Sequence, residues 1–287
     1  MLSNIQGGLS LLRVKHYVKN FLIFLPLLFS KQLLNSDSRL GDVVWAFVAF
    51  CLLASAIYLF NDIRDKEKDK YHPTKRNRPI ASGRVSVSAA WSVLAVLFLI
   101  GMGVGCYVSY CSSWYILFFL MLYVVLNVLY SIRLKNVPVL EIGILSAGFM
   151  IRVMLGGYAA HVEVSDWLYL TVLSASFYMG LGKRRNELQS SSDKETRKVL
   201  RFYNRRFLDR NMYMFLSLSI AFYSLWSMSR KNGVIWTVPL VMLIAMRYSL
   251  IVEGASDGDP VELILKDKAL LLMSVAYMLL MGWLLYC

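Results

Sequence analysis

Apolar residues dominate the chain in nine runs, at about 17–34, 42–60, 87–110, 113–132, 138–160, 165–182, 211–229, 233–252 and 269–287. Each approaches the ~20 residues that a helix needs to cross a bilayer. The runs 87–110 and 113–132 lie so close that only a tight turn joins them. The pattern predicts an all-α integral membrane protein: a bundle of about nine transmembrane helices forming a single domain, 1–287, with no long linker. Two long polar stretches, 63–86 and 183–210, interrupt it, and each begins as a polar extension of the preceding helix. The first contains His72-Pro73-Thr74-Lys75-Arg76-Asn77-Arg78-Pro79-Ile80-Ala81-Ser82-Gly83-Arg84, whose two prolines and glycine break any continuous helix. The second interleaves Lys194, Lys198 and Arg205 with Leu200, Phe202 and Phe207, the pattern of a helix lying along a charged lipid surface. The connector Glu253 to Glu262 is rich in turn residues, and Asp259 is placed to cap a short helix over Val261 to Leu265.

Composition strengthens the membrane reading. Of 287 residues 57% are hydrophobic, and the mean hydropathy is +0.53, well above that of a soluble chain of this length. The net charge of +13 would suit nucleic acid, but its distribution argues for topology instead. With the sides assigned by counting spans, one side carries Arg13, Lys15 and Lys19, eight Lys/Arg between Arg64 and Arg84, Arg133 and Lys135, ten between Lys183 and Arg210, and Lys266 and Lys268. The other side carries Lys31, Arg39, Arg230 and Lys231, while Arg152 and Arg247 fall inside spans. Lys/Arg enrichment of this kind marks the cytoplasmic face. The N-terminus and both long polar loops are therefore expected inside, and the C-terminus outside. No small-residue cleavage site follows the first apolar run, which reads as a retained helix. Cysteines 51, 106, 111 and 287 have no metal-ligand spacing, and a 106–111 disulfide is less expected than free thiols.

The polar positions at helix ends carry the candidate chemistry. Asn61, Asp62, Asp65 and Asp69 follow the second run directly and fall within an arc of about 100° on one helix face. Three carboxylates crowded on one face repel one another unless a cation sits among them. Hard oxygen ligands suit Mg²⁺, which usually arrives with a phosphate. The same residues, with Lys66, Lys68 and Lys70 beside them, also make an ordinary solvated helix end. In the loop that follows, Lys75, Arg76 and Arg78 make a positive concavity, or else a topology signal. Lys183-Arg184-Arg185-Asn186-Glu187 occupies the equivalent end of the sixth run. It reads either as a phosphate clamp or as an i,i+4 pair of Lys183 with Glu187 beside two snorkelling arginines. Glu141 and Arg152, eleven residues apart on nearly one face of the fifth helix, lie ~16 Å apart along its axis. An arginine at such depth points inward, toward a structural acid or an anionic substrate. Tyr130 and Lys135 bracket the exit of the fourth run, and Lys15 and Lys19 stack before the first, positions that suit lipid phosphate or simple interfacial anchoring. Arg247 has no evident sequence partner. Histidines 16, 72 and 161 suggest no metal site, and no Gly-rich nucleotide loop or Ser-His-Asp order is present.

Asn61-Asp62-x-x-Asp65-x-x-x-Asp69, followed by Arg78-Pro79 and Ser82-Gly83, resembles the first signature of the UbiA superfamily of membrane prenyltransferases, and the nine-helix count matches it. Typical members carry a second acidic motif at the end of helix six, where this chain has Lys183-Arg184-Arg185-Asn186-Glu187. That departure resembles the branch typified by decaprenyl-phosphate phosphoribosyltransferase, as do Val18-Lys19-Asn20, His72-Pro73-Thr74-Lys75-Arg76, Arg152 with Gly156-Gly157, Gly182-Lys183-Arg184 with Glu187, and Pro260-Val261-Glu262. The resemblance implies a UbiA-like bundle in the plasma membrane with its active-site loops cytoplasmic. It implies Mg²⁺-dependent transfer of 5-phosphoribose from phosphoribosyl diphosphate to a polyprenyl phosphate, in the synthesis of arabinose donors for cell-surface polysaccharides. Asp62 and Asp65 are then catalytic, with Asn61 and Asp69 completing the metal set. The substrate-binding candidates are Lys19, Lys75, Arg76, Arg78, Tyr130, Lys135, Glu141, Arg152, Lys183, Arg184 and Glu187. The related family suggests a homotrimer. Prenyl transfer to an aromatic acceptor, or a non-catalytic lipid transporter, are the competing expectations.

Overall fold

A computed structural model describes residues 11–33, 38–71, 75–190, 198–230, 233–254 and 266–287. Among them every regular element is helical. A 3₁₀ stretch, Val14–Phe24, runs into α1 (Leu25–Phe29), whose second residue is Pro26, tolerated there because a first-turn N–H has no intrahelical acceptor. Then follow α2 (Leu40–Lys70), α3 (Val87–Cys111), α4 (Tyr115–Ile132), α5 (Leu140–Ala160), α6 (Asp166–Ser190), α7 (Arg205–Met228), α8 (Val238–Glu253, led by the 3₁₀ turn Val234–Thr237) and α9 (Lys268–Tyr286). Polar caps fix three starts: Ser86, Asn204 and Asp267 accept the amides of Ala89, Phe207 and Leu270.

Among the described residues six helices are long and apolar enough to cross a membrane: α2, α3, α4, α5, α8 with its lead, and α9. The nine expected spans map onto these elements, but three of them do not meet that measure. The first is split between 3₁₀ and α geometry, and α6 and α7 carry hydroxyl, amide and charged side chains along their length. The polar extension expected beyond the second span is present, since α2 continues unbroken through the acidic motif to Lys70. His72, Pro73, Thr74, Lys194, Asp259, Pro260, Val261 and Glu262 lie outside the described residues. Cys106 and Cys111 are both free thiols.

The chain divides into two compact units, Met1–Leu134 with Ile151–Glu163, and Lys135–Met150 with Val164–Cys287. The core of the first is built on α2, where Val43, Ala46, Phe50, Leu53 and Ile57 pack with Ile23, Leu27, Leu120, Ile151 and Leu155. Lipid tails are as apolar as leucine, so close fit rather than water exclusion must hold such helices together. Gly156 shows that fit: a β-carbon there would stand 1.8 Å from the carbonyl oxygen of Ile23, so only glycine lets α5 meet the first segment. The second unit packs Ile142, Tyr178, Leu181, Leu208, Met212, Tyr248 and Val252 around one another, with Val199 and Leu200 from the short turn Lys198–Phe202.

Candidate active site

The polar end of α2 is a charged cluster. Asp62 and Asp69, two turns apart on one face, are each 5% exposed, and both reach a single guanidinium. Arg78 Nη1 lies 3.0 Å from Asp62 Oδ1 and 2.6 Å from Asp69 Oδ2. Arg13 also pairs with Asp62 Oδ1. Arg78 is delivered by the turn after α2. Ile80, fully buried against Leu59 and Ala90, pins that turn, and Gly83, at φ +77°, reverses it. The amides of Ser82 and Val85 close on the carbonyls of Arg78 and Pro79 at 2.9 and 3.0 Å. Asn61 accepts the hydroxyl of Ser131 from α4. Asp65 is half-buried on the same helix face, and Lys75 and Arg76 are exposed on the turn Lys75–Asn77.

Among the described residues no three His, Cys, Asp or Glu side chains are grouped to hold a metal ion. The expected four-oxygen set is therefore not drawn together in this state. Two of its members nevertheless converge on one cationic nitrogen, so a positive centre already bridges Asp62 and Asp69. Hard carboxylate oxygens placed so suit a hard divalent cation. Arg78 stands where positive charge is wanted between these two carboxylates.

Arg152 is 6% exposed within the first unit. Its Nε donates to Asn20 Oδ1 at 2.9 Å, and its guanidinium lies 4.6 Å from the ring centre of Phe50 and 5.4 Å from that of Tyr123. Asn20 in turn donates to the thiol of Cys51 at 3.1 Å. Its partners thus include a neutral amide and two aromatic faces, favourable but uncharged. Lys19 on the 3₁₀ stretch and Tyr130 on the last turn of α4 are half-buried.

The second unit holds a different cluster at the end of α6. Arg184 and Glu141 are almost fully buried and stand 3.2 Å apart, and Arg184 also pairs with Glu187. Glu187 thus has an arginine partner three residues back on the same helix. Arg185, 2% exposed, binds Asp209 of α7 at 2.5 Å and the carbonyl of Glu253 at 3.2 Å. It ties α6 to α7 and to the end of α8. Of the three cations expected to clamp phosphate, Lys183 alone is partly exposed. Lys135 is half-buried on the 3₁₀ turn Leu134–Asn136.

Sequence reasoning missed Tyr203. Its hydroxyl accepts the amide of Val139 at 2.8 Å and reaches Glu141 at 3.5 Å. Burial pushes its phenol above the usual range. Val139 sits at φ +64°, a backbone region that a β-branched residue enters only when its surroundings force it. A tyrosine in a polar, arginine-rich loop gave no periodic signal that could have flagged this role. Sequence also left Arg247 unexplained; it makes a two-pronged pair with Asp267, at 3.2 and 2.7 Å, joining α8 to the cap of α9.

The chain matches the model of the UbiA prenyltransferase family over residues 23–275. It is 34% identical to a decaprenyl-phosphate phosphoribosyltransferase of Corynebacterium glutamicum, across 94% of this chain and 84% of that one. It is 32% identical to a decaprenyl-phosphate phosphoribosyltransferase of Mycolicibacterium smegmatis, across 95% and 90%. Among solved structures, a UbiA homologue from Archaeoglobus fulgidus bound to DMAPP and Mg²⁺ shares the fold, with a TM-score of 0.74 at 15% identity over 97% of this chain and 98% of the other. The apolar helices and these relatives make it a multi-pass membrane protein, and the acid-bearing end of α2 lies within the matched span: the chain belongs to the UbiA prenyltransferase family.

Proposed function

We propose that this transferase moves 5-phosphoribose from phosphoribosyl diphosphate to a polyprenyl phosphate and releases diphosphate. The observation that carries the reading is 34% identity, over nearly the whole chain, to a relative named for that reaction. The cationic Lys183-Arg184-Arg185 at the end of α6 supports it. In this reading Asp62, Asp65 and Asp69, with Asn61, hold Mg²⁺, and the whole chain, 1–287, acts as one functional domain. When bound, the metal offsets negative charge developing on the leaving diphosphate.

The C1–O bond to diphosphate breaks as an oxygen of the lipid phosphate bonds to C1, and inversion at that carbon follows from direct attack. The nucleophile is already an anion and needs little proton removal, so positioning and charge compensation supply most of the acceleration. Lys75, Arg76 and Arg78 bind the diphosphate or the 5-phosphate. Lys19, Arg152 and Lys183 are the candidates for the remaining phosphates, and Tyr130 and Lys135 are further substrate-binding candidates. Arg184, held between Glu141 and Glu187, positions the end of α6. The Lys/Arg imbalance along the sequence supports placing the N-terminus and both charged helix ends in the cytoplasm, the C-terminus outside, and the protein in the plasma membrane, where its product would serve cell-surface polysaccharide synthesis.

Membranes containing the protein, given radiolabelled phosphoribosyl diphosphate and polyprenyl phosphate, should yield a charged, chelator-sensitive lipid. Transfer from a prenyl diphosphate to an aromatic acid instead would replace this reading with the prenyltransferase one. Neither product would leave a non-catalytic lipid-handling role.

A further inference from the structure

Arginines from two separate chain segments already occupy the carboxylates of α2. Arg78 comes from the turn after the helix. Arg13 comes from the segment before Val14–Phe24, strapped along α2 by three contacts. Ser55 Oγ donates to the carbonyl of Leu12 at 2.9 Å, the hydroxyls of Tyr17 and Ser55 meet at 2.7 Å, and the rings of His16 and Tyr58 lie 5.4 Å apart. Arg13 itself has a left-handed backbone, φ +52°, and its guanidinium lies 5.1 Å from the ring centre of Tyr58 on the way to Asp62. An L-residue adopts that backbone rarely, and it persists where the surroundings over-determine it. The strap thus aims one cation at one carboxylate.

The charges then constrain how a ligand can enter. A divalent ion arriving alone at Asp62 and Asp69 must displace two guanidiniums, or sit beside them against their repulsion. An ion arriving with diphosphate removes that obstacle, because the displaced guanidiniums meet phosphate oxygens, which match their paired N–H groups. Both arginines are free enough to make the exchange: their side chains are 19% and 29% exposed, against 7% for each carboxylate.

We propose that Arg13 and Arg78 are exchangeable counter-ions of the acidic face, holding Asp62 and Asp69 in the empty protein and passing to diphosphate when metal takes the carboxylates. Divalent metal and diphosphate therefore bind as a coupled pair, and Arg13 is a substrate-binding residue. The inference rests on the metal and diphosphate part of the reading above, not on the identity of the sugar or the lipid.

The test titrates Mn²⁺, followed by its spin-resonance signal, into purified full-length protein with and without inorganic diphosphate, so neither turnover nor lipid is needed. In the unaltered protein diphosphate should tighten Mn²⁺ binding by about 10- to 100-fold, the usual span of coupling between sites. Arg13→Gln should tighten binding of Mn²⁺ alone several-fold and shrink the effect of diphosphate by about fivefold. Arg78→Gln, which removes the cation shared by both carboxylates and leaves Arg13 on Asp62, should do so more strongly. Arg13→Lys, keeping the charge, should restore most of the coupling. Arginines that only support the fold would not improve metal binding when removed, so unchanged or weakened binding of Mn²⁺ alone in both glutamine variants, with coupling intact, overturns the proposal. Failure of any form to bind Mn²⁺ saturably, even with diphosphate, would instead overturn the metal site on which it rests.

Discussion

The ends of α2 and α6 are opposites in charge and in closure. At α2 the helix supplies acids and other segments bring arginines; at α6 the helix supplies arginines and α5 and α7 bring Glu141 and Asp209. The α2 pairs keep their guanidiniums partly in solvent, whereas Arg184 and Glu141 are 1% and 0% exposed. Pairs of the first kind can trade partners at little cost. Pairs of the second kind cannot, because a charge left alone in a low-dielectric interior costs several kcal/mol. The same chemistry thus serves exchange in one unit and permanence in the other.

The largest effect should fall on activity at α2. Asp62→Asn should lower turnover by about 10²- to 10³-fold, the scale of removing one group that compensates charge in a transition state. Its unfolding midpoint in detergent should move little, since the partly exposed Arg13 and Arg78 can rehydrate and pairs open to solvent contribute about 1 kcal/mol or less. Near-normal turnover in that variant would remove the metal proposal. A collapse in stability would erase the contrast with α6.

Glu141→Gln makes the reciprocal case. It should destabilise by about 3–5 kcal/mol, the cost of breaking a buried pair from one side, read as loss of folded protein on heating in detergent. Glu141→Gln with Arg184→Met should recover much of that loss, because an apolar replacement of both charges is often neutral. A single variant as stable as the parent would mean that the α6 end is as exchangeable as the α2 end, and Arg184 would return to the set of phosphate ligands.

Tyr203→Phe should act on the same closed cluster more weakly. It leaves the Val139 amide without its acceptor and Glu141 without one contact, a loss of about 1–3 kcal/mol. If the tyrosine orders the neighbouring Leu134–Asn136 turn with Lys135, the KM for substrate should rise more than kcat falls. A purely local packing role would lower stability and leave that ratio alone.

Legibility in the sequence followed the reach of the interactions. Five helices, α3, α4, α5, α8 with its lead and α9, could be placed to within a few residues at both ends, because a run of apolar side chains is a local signal that a bilayer makes obligatory. The acidic face of α2 was visible for the same reason: a helix repeats at a fixed angle, and Asp62 and Asp69 needed no tertiary information to be put together. What the acids touch was not visible. Arg13 meets Asp62 across 49 positions, and Glu141 meets Arg184 across 43, through a backbone path that periodicity does not encode. Lys183-Arg184-Arg185 therefore read either as a phosphate clamp or as an ion pair beside two snorkelling arginines, when packing buries Arg184 and Arg185 against acids. The first expected span likewise read as one helix, since hydropathy does not distinguish 3₁₀ from α geometry.

A further arginine–aspartate pair calibrates the comparison from the exposed side. Arg247 and Asp267 have side chains 39% and 19% exposed, and this guanidinium is more open than those of Arg13, Arg78, Arg184 and Arg185. The Arg247 guanidinium, with the Leu270 amide, holds the Asp267 carboxyl below its usual range. A carboxylate with a depressed folded value stabilises the fold fully above its unfolded value, near 4, and the contribution is lost as pH falls through the folded value. Arg247→Gln should therefore shift the unfolding midpoint at pH 7 least of all the variants here. The difference from the parent should narrow only below about pH 4 and fade with added salt. A shift at pH 7 as large as that of Glu141→Gln, or one indifferent to acid, would show that exposure does not rank these pairs, and the reason for calling the α2 arginines exchangeable would fail with it.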